Sequence, residues 1–138
     1  MICYVDSSVL LRFLLIGDTT LGKALDFEMV GSSELIRIEC KRVLLRYRLE
    51  GQLNDEAYRD AVGHLEKVLT GFFMVEISGA VKQRASEAFP TVIGTLDAIH
   101  LSSALLWREH ADDEVVVMTF DKQMSVCAGA IGMHAYDG

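Results

Sequence analysis

Short apolar runs that favour extended backbone alternate along this chain with longer stretches of helical character, and two of those runs end directly on an aspartate. The runs lie at residues 2–5, 72–77, 115–120 and 133–136. Helices are read at residues 9–16, 20–30, 35–49, 54–69, 80–89, 96–109 and 121–128. Strands that are apolar throughout need cover on both faces, and strands separated by helices pair in parallel. The pattern therefore predicts an α/β fold, with three layers α/β/α around a mainly parallel sheet of four or five strands. Punctuation along the chain agrees. Ser7 and Ser8 are placed to cap the first helix, Gly51 to stop the third, and Asn54 to cap the fourth, with Asp55 and Glu56 in its first turn. Pro90 and Gly94 turn the chain before the helix at 96–109. No repeat, linker or low-complexity segment interrupts the sequence, so residues 1–138 are read as one domain.

Charge narrows the function. Lys and Arg number 13 against 20 Asp and Glu, a net charge of −7, which excludes binding to nucleic acid or anionic membrane through bulk positive charge. Any grip on a nucleic acid must then be local. The apolar run at 9–16 is broken by Arg12 and falls short of the roughly 20 residues that cross a bilayer, and no basic segment precedes it as in a secretory signal. A cytoplasmic protein without membrane contact is expected. Cys3, Cys40 and Cys127 are far apart and lack CxxC spacing, which favours reduced, buried thiols over a zinc site or redox pair.

In an open parallel sheet, ligands bind beyond the carboxyl ends of the strands. Asp6 follows the run at 2–5 and Asp121 the run at 115–120, so both open onto one edge of the sheet. Taken singly, each is more simply read as a helix cap. Glu39 is less easily explained, because Leu35, Ile36 and Val43 share its helical face and the carboxylate interrupts an apolar stripe. Either an ion pair with Arg42 or Arg46 holds it, or it faces a site. Asp97 stands in the first turn of its helix, where the dipole favours a carboxylate by about 0.3–1 kcal/mol.

The four acids say more as a set. Packed into one crevice they raise each other's pKa and oppose folding unless protons or cations neutralise them. No histidine or cysteine occupies a matching position, and an all-oxygen donor set suits Mg²⁺ or Mn²⁺ better than zinc. Phosphodiester hydrolysis fits such a site: one ion acidifies the attacking water and a second stabilises the leaving oxygen.

Tyr4-Val5-Asp6-Ser7-Ser8-Val9-Leu10, Ser33-Glu34-Leu35 followed by Glu39, Leu96-Asp97-Ala98-Ile99-His100-Leu101 and Thr119-Phe120-Asp121-Lys122 occur in that order across nearly the whole chain. Together they resemble the motifs of PIN-domain ribonucleases, most closely the VapC-type toxins of bacterial and archaeal toxin-antitoxin pairs. The resemblance implies a PIN-like parallel sheet flanked by helices and a Mg²⁺-dependent endoribonuclease that inhibits translation by cutting RNA. It also implies a cognate antitoxin protein that neutralises the enzyme. Carried over residue by residue, Asp6, Glu39, Asp97 and Asp121 match the family's catalytic, metal-binding quartet, with Asp121 at its most variable position. Ser7 or Ser8 and Thr119 match the small hydroxyl residues that help to hold the site, as ligands, as helix caps or through bonds to a carboxylate.

RNA binding is compatible with the net charge if it is local, since two divalent ions add four positive charges at the site. Arg37, Lys41, Arg42, Arg46 and Arg48 all lie on the helix of Glu39. Positions 39, 42 and 46 share a face, so Arg42 and Arg46 are candidates for an RNA phosphate, against ion pairing or a solvated face. His100, one turn beyond Asp97, reads as a satisfied structural histidine, and Trp107 as core or dimer surface. The first helix, with Leu10, Leu11, Phe13, Leu14 and Leu15, is more apolar than one buried face requires. Its surplus is open to an antitoxin segment, to a second copy in a homodimer, or to core packing. Two other readings stand beside the nuclease. A phosphoacceptor receiver-like signalling domain needs paired acids at the first strand end and a central-strand aspartate. Serines follow Asp6 instead, and the strand read as central ends Val75-Glu76-Ile77. A degenerate, non-catalytic RNA-binding or interaction module would keep the acids for structure alone.

Overall fold

A computed structural model describes residues 1–136, and the final two residues of the span read as one domain lie outside the described residues. The chain runs β1 (Ile2–Val5), α1 (Ser7–Ile16), α2 (Thr20–Ala24), β2 (Met29–Ser33), α3 (Leu35–Leu49) and α4 (Asp55–Leu69). It continues β3 (Phe73–Val75), α5 (Gly79–Ala85), α6 (Thr95–Ala111), β4 (Val115–Met118), α7 (Lys122–Ala130) and β5 (His134–Ala135). Five strands form one sheet in the order β3-β2-β1-β4-β5, and every neighbouring pair is parallel. This is the expected α/β class, with β1 at the centre.

Side chains of a strand alternate between faces, so β1 feeds two cores. Cys3 and Val5 join a cluster built with Val9, Leu10, Ile36, Cys40, Leu44, Leu65 and Leu69 from α1, α3 and α4. Ile2 and Tyr4 join Val115, Val117, Leu101, Trp107, Met124 and Cys127 on the face covered by α6 and α7. Burying both faces of a four-residue strand is what makes Ile2 to Val5 apolar without a break. The apolar surplus of α1 goes to the first core: Val9 and Leu10 are buried, and Leu11, Phe13, Leu14 and Leu15 pack against it half-buried. Trp107 is a core residue that stacks on Phe73 at 5.5 Å.

Three expectations need correction. The helix read at 20–30 is only the five-residue α2, and the chain then turns into β2, Met-Val-Gly-Ser-Ser, a strand with no continuous apolar character. Pairing on both sides imposes extended backbone there, against β1 through Ile2↔Met29 to Tyr4↔Gly31 and against β3 through Gly31↔Phe73 to Ser33↔Val75. Gly31 is required by space, since a Cβ would lie 2.4 Å from the Phe73 carbonyl oxygen and 2.9 Å from the Trp107 ring. The strand read as central at 72–77 is the short edge strand β3. Finally, Asp6 caps α1, in place of Ser7 or Ser8.

Asn54 caps α4 through Ala57 N–H as expected, and Gly51 adopts a left-handed φ of 80° after α3. All three cysteines are buried and free, and burial pushes the Cys3 thiol up to about 12. Among the described residues no helix is long and apolar enough to cross a membrane.

Candidate active site

Parallel pairing of β1 with β4, with Val5 opposite Met118, brings the segments after both strands to the same edge. Asp6 is 4% exposed there. Its Oδ1 accepts the Ser8 hydroxyl at 2.6 Å and the backbone N–H groups of Ser8 and Val9, which cap α1. Its Oδ2 accepts the Thr119 hydroxyl at 2.6 Å. Burial holds this carboxyl above the ordinary range, while the Ser8 and Thr119 bonds work in the opposite direction. Each hydroxyl also accepts: Ser8 Oγ takes the Phe120 N–H at 2.9 Å and Thr119 Oγ1 the Asp121 N–H at 2.9 Å. The loop after β4 is thereby sewn to the loop after β1. Ser8 and Thr119 both bond the Asp6 carboxylate, whereas the Ser7 hydroxyl makes no hydrogen bond among the described residues.

Asp121 caps α7, its Oδ1 accepting the Met124 N–H at 3.1 Å. Asp97, half-buried in the first turn of α6, makes no hydrogen bond or ion pair among the described residues. Its carboxyl is pushed above the ordinary range first by burial and then by the negative charges of Asp121, Asp6 and Glu39. Asp97 thus lies within electrostatic reach of the other three sequence-selected acids.

Glu39 projects from α3 toward α6, and its partner is neither Arg42 nor Arg46. Glu39 Oε1 lies 2.5 Å from His100 Nε2, and His100 Nδ1 lies 2.6 Å from the Tyr4 hydroxyl. An ionised Glu39 can only accept, so Nε2–H donates to it, and Nδ1 of the neutral ring then accepts the phenol hydrogen while the phenol oxygen takes the Ser33 N–H at 3.0 Å. Tyr4 and His100 are buried, and burial raises the phenol's pKa. Of the two alternatives for Glu39, the ion pair with Arg42 or Arg46 is not formed; the carboxylate instead joins a relay through buried His100 to Tyr4. Sequence reasoning leaves His100 and Tyr4 outside the site; the available signal is His100 at i+3 from Asp97 on α6, a histidine one turn from an acid.

Of the two arginines proposed for phosphate, Arg46 lies 3.9 Å from Glu50 and over the Tyr47 ring, while exposed Arg42 has no ion pair or hydrogen bond among the described residues. Arg37 and Lys41 pair with Glu66, and Arg48 with Asp55. As the side chains stand, no three of His, Cys, Asp and Glu among the described residues are grouped closely enough to hold a metal ion. A groove of about 800 Å³ lined by Phe73, Val81 and Trp107 lies away from the acids, which open instead on the sheet's carboxyl edge.

A parallel sheet covered by helices, with acids following β1 and β4 at its carboxyl edge, defines the class of α/β/α domains that open an acidic crevice there. The PIN domain model matches residues 3–129, and the chain belongs to the PIN domain family. Its fold is similar to that of VapBC2 from Rickettsia felis bound to a DNA fragment from their promoter, with 11% identity, coverage of 100% of this chain and 99% of that one, and a TM-score of 0.71. It is also similar to PAE2754 from Pyrobaculum aerophilum, with 21% identity, coverage of 98% and 83%, and a TM-score of 0.65. A toxin-antitoxin complex from Klebsiella pneumoniae shares 18% identity over 98% of this chain and 96% of that one, at a TM-score of 0.63. No curated protein matches the chain.

Proposed function

We propose that this chain, acting over residues 1–138 as one domain, is a divalent-metal-dependent endoribonuclease. The observation that carries the reading is Asp97, a half-buried carboxylate with no hydrogen bond or ion pair among the described residues, pressed by the charges of three other acids. Such a cluster is costly to keep unless a cation balances it. Its donors are all oxygen, which fits Mg²⁺ or Mn²⁺, and Asp6, Glu39, Asp97 and Asp121 are the residues that would hold the ion. Bound there, the metal supplies an acidified water and a counter-charge for the phosphate.

The chain's own residues prepare that site. Ser8 and Thr119 fix the Asp6 carboxylate from both oxygens, and His100 fixes one oxygen of Glu39, leaving Oε2 for a ligand. Thr119 also carries the Asp121 backbone, so two acids from different strands share one support. Exposed Arg42, three residues beyond Glu39, offers an unpaired guanidinium for an RNA phosphate, and Arg46 a weaker second.

The toxin of a toxin-antitoxin pair, acting in the cytoplasm to inhibit translation, is the biological role we assign. It is supported by the ordered VapC-type motifs and by likeness of fold to proteins described as VapBC2 and as a toxin-antitoxin complex. The partners are then RNA, a cognate antitoxin protein and a second copy of the chain in a homodimer. Purified protein incubated with total cellular RNA, in Mg²⁺ and in EDTA, with Asp6→Asn alongside, tests the catalysis. New 5′ ends at discrete sites that require both the metal and Asp6 are expected. Folded, Mg²⁺-binding protein that leaves RNA intact would sink the enzyme and favour a non-catalytic module.

A further inference from the structure

Four acids and their supports account for the cleaved phosphate, but not for the base beside it. We infer that Phe120, braced by Arg12, is the platform on which the RNA base next to the cut stacks; the inference rests on the nuclease reading above. Phe120 lies between Thr119, which bonds Asp6, and Asp121, so its backbone belongs to the site. Its N–H donates to Ser8 Oγ at 2.9 Å, and that hydroxyl donates to Asp6 at 2.6 Å, so two hydrogen bonds tie the ring's backbone to the acid. The ring itself is not spent on the core, for it remains 40% exposed.

Arg12, in the helix that Asp6 caps, holds its guanidinium 3.9 Å from the centre of the Phe120 ring. That contact occupies one side of the ring, so the remaining exposure belongs to the rest of it. It also steadies an aromatic side chain at a solvent-facing position, which lowers the ordering cost of stacking. Arg12 forms no salt bridge among the described residues; its charge acts at longer range on Asp18, and the guanidinium beside the ring is placed to meet the sugar-phosphate chain of the same nucleotide. An aromatic face joined to a guanidinium plane is the pair of surfaces that single-stranded RNA bases use, with little hydrogen-bond readout and a preference set by stacking strength. The ligand class is single-stranded RNA, with purines favoured over pyrimidines beside the cut.

The test measures binding apart from cleavage. On an Asp97→Asn background, a short single-stranded RNA with 2-aminopurine in place of adenine is titrated into protein carrying Phe120, Phe120→Leu or Phe120→Trp. The native and Trp forms are expected to quench the fluorophore, and Phe120→Leu to lose the quench and bind about 5- to 100-fold more weakly. On the active background, Phe120→Leu raises KM more than it lowers kcat, and Phe120→Trp restores KM. The substitution leaves the backbone anchor in place, and unchanged melting of Phe120→Leu verifies the fold. Equal quenching and affinity in the native and Phe120→Leu forms overturn the platform even if wild-type protein cuts RNA. Conversely, quenching that depends on Phe120 in a protein that never cuts RNA upholds the platform and removes the nuclease.

Discussion

Tyr4→Phe deletes one oxygen at the centre of the molecule. That oxygen accepts the Ser33 N–H at 3.0 Å and lies 2.6 Å from His100 Nδ1, with Tyr4 at 0% exposure and His100 at 1%. Its removal strands a buried backbone donor and a buried ring nitrogen, each costing about 1–3 kcal/mol. Against this, phenylalanine no longer buries a hydroxyl, an offset of about 1 kcal/mol, and the partnerless Ser32 hydroxyl is available to one of the stranded groups. The net loss works out at about 1–5 kcal/mol, toward the lower end where Ser32 serves one of the groups. With an unfolding entropy of roughly 2 cal/mol/K per residue, each kcal/mol lowers the melting temperature of a chain this long by about 3–4 °C. A fall of about 3–17 °C follows. The single tryptophan, Trp107, is buried with its ring 6.5 Å from Tyr4, so its fluorescence reports the transition directly. In Mg²⁺ the variant should also cut more slowly, because His100 loses the contact that orients it toward Glu39. A melting temperature within about 1 °C of wild type would refute the reasoning, since it would mean that neither buried group depends on the phenol.

Three further outcomes follow from the same geometry. The raised Asp97 carboxyl contributes stability fully only below its unfolded value near 3.9, and that contribution is lost as pH rises through the folded pKa. In EDTA, Asp97→Asn should therefore melt above wild type at about pH 7, with the advantage gone by about pH 4, and Mg²⁺ should raise its melting temperature less; equal melting at both pH values contradicts this. Gly31→Ala forces a Cβ to within 2.4 Å of a paired strand's carbonyl, so a loss of about 3 kcal/mol or more is expected, read by urea unfolding. Thr119→Val removes the hydroxyl shared by Asp6 and the Asp121 backbone and should lower cleavage about 10- to 100-fold, with Thr119→Ser close to wild type.

Where local chemistry decides an element, the sequence is readable, and where the tertiary fold decides it, it is not. The bounds of α3 at Leu35–Leu49 are visible because Leu35, Ile36, Cys40 and Leu44 mark its buried face at helical spacing and Gly51 stops it. The cap at Asn54 is visible because its side chain satisfies α4 directly. Residues Met29–Ser33 carry no such mark: Gly31, Ser32 and Ser33 are poor strand formers, and only the flanking strands and the bulk of Trp107 explain them. The same limit hides the relay. His100 reads correctly as a satisfied histidine, but its partners lie 96 and 61 residues away, at Tyr4 and Glu39. An arginine is the natural expectation for Glu39 because Arg42 and Arg46 are its helical neighbours, whereas the fold supplies a histidine from the helix packed across the sheet.

Asp6 and Asp121 show why two readings of one residue need not compete. Each is legible either as a helix cap or as a site acid, and each caps its helix: Asp6 through Ser8 and Val9, Asp121 through Met124. Capping places the carboxylate at the point where a parallel strand hands over to a helix, which is the crevice where such sheets bind ligands. It also uses Oδ1 in both residues for the backbone. At Asp6 the second oxygen is held by Thr119; at Asp121 no protein bond among the described residues claims it. The cap thus fixes the carboxylate's orientation from behind while leaving charge facing the crevice. A cap alone gives no reason for Asp97, which caps nothing and sits among the charges of the other three acids. The α6 dipole favours a first-turn carboxylate by only about 0.3–1 kcal/mol, so Asp97 is the residue on which the proposed cation site chiefly rests.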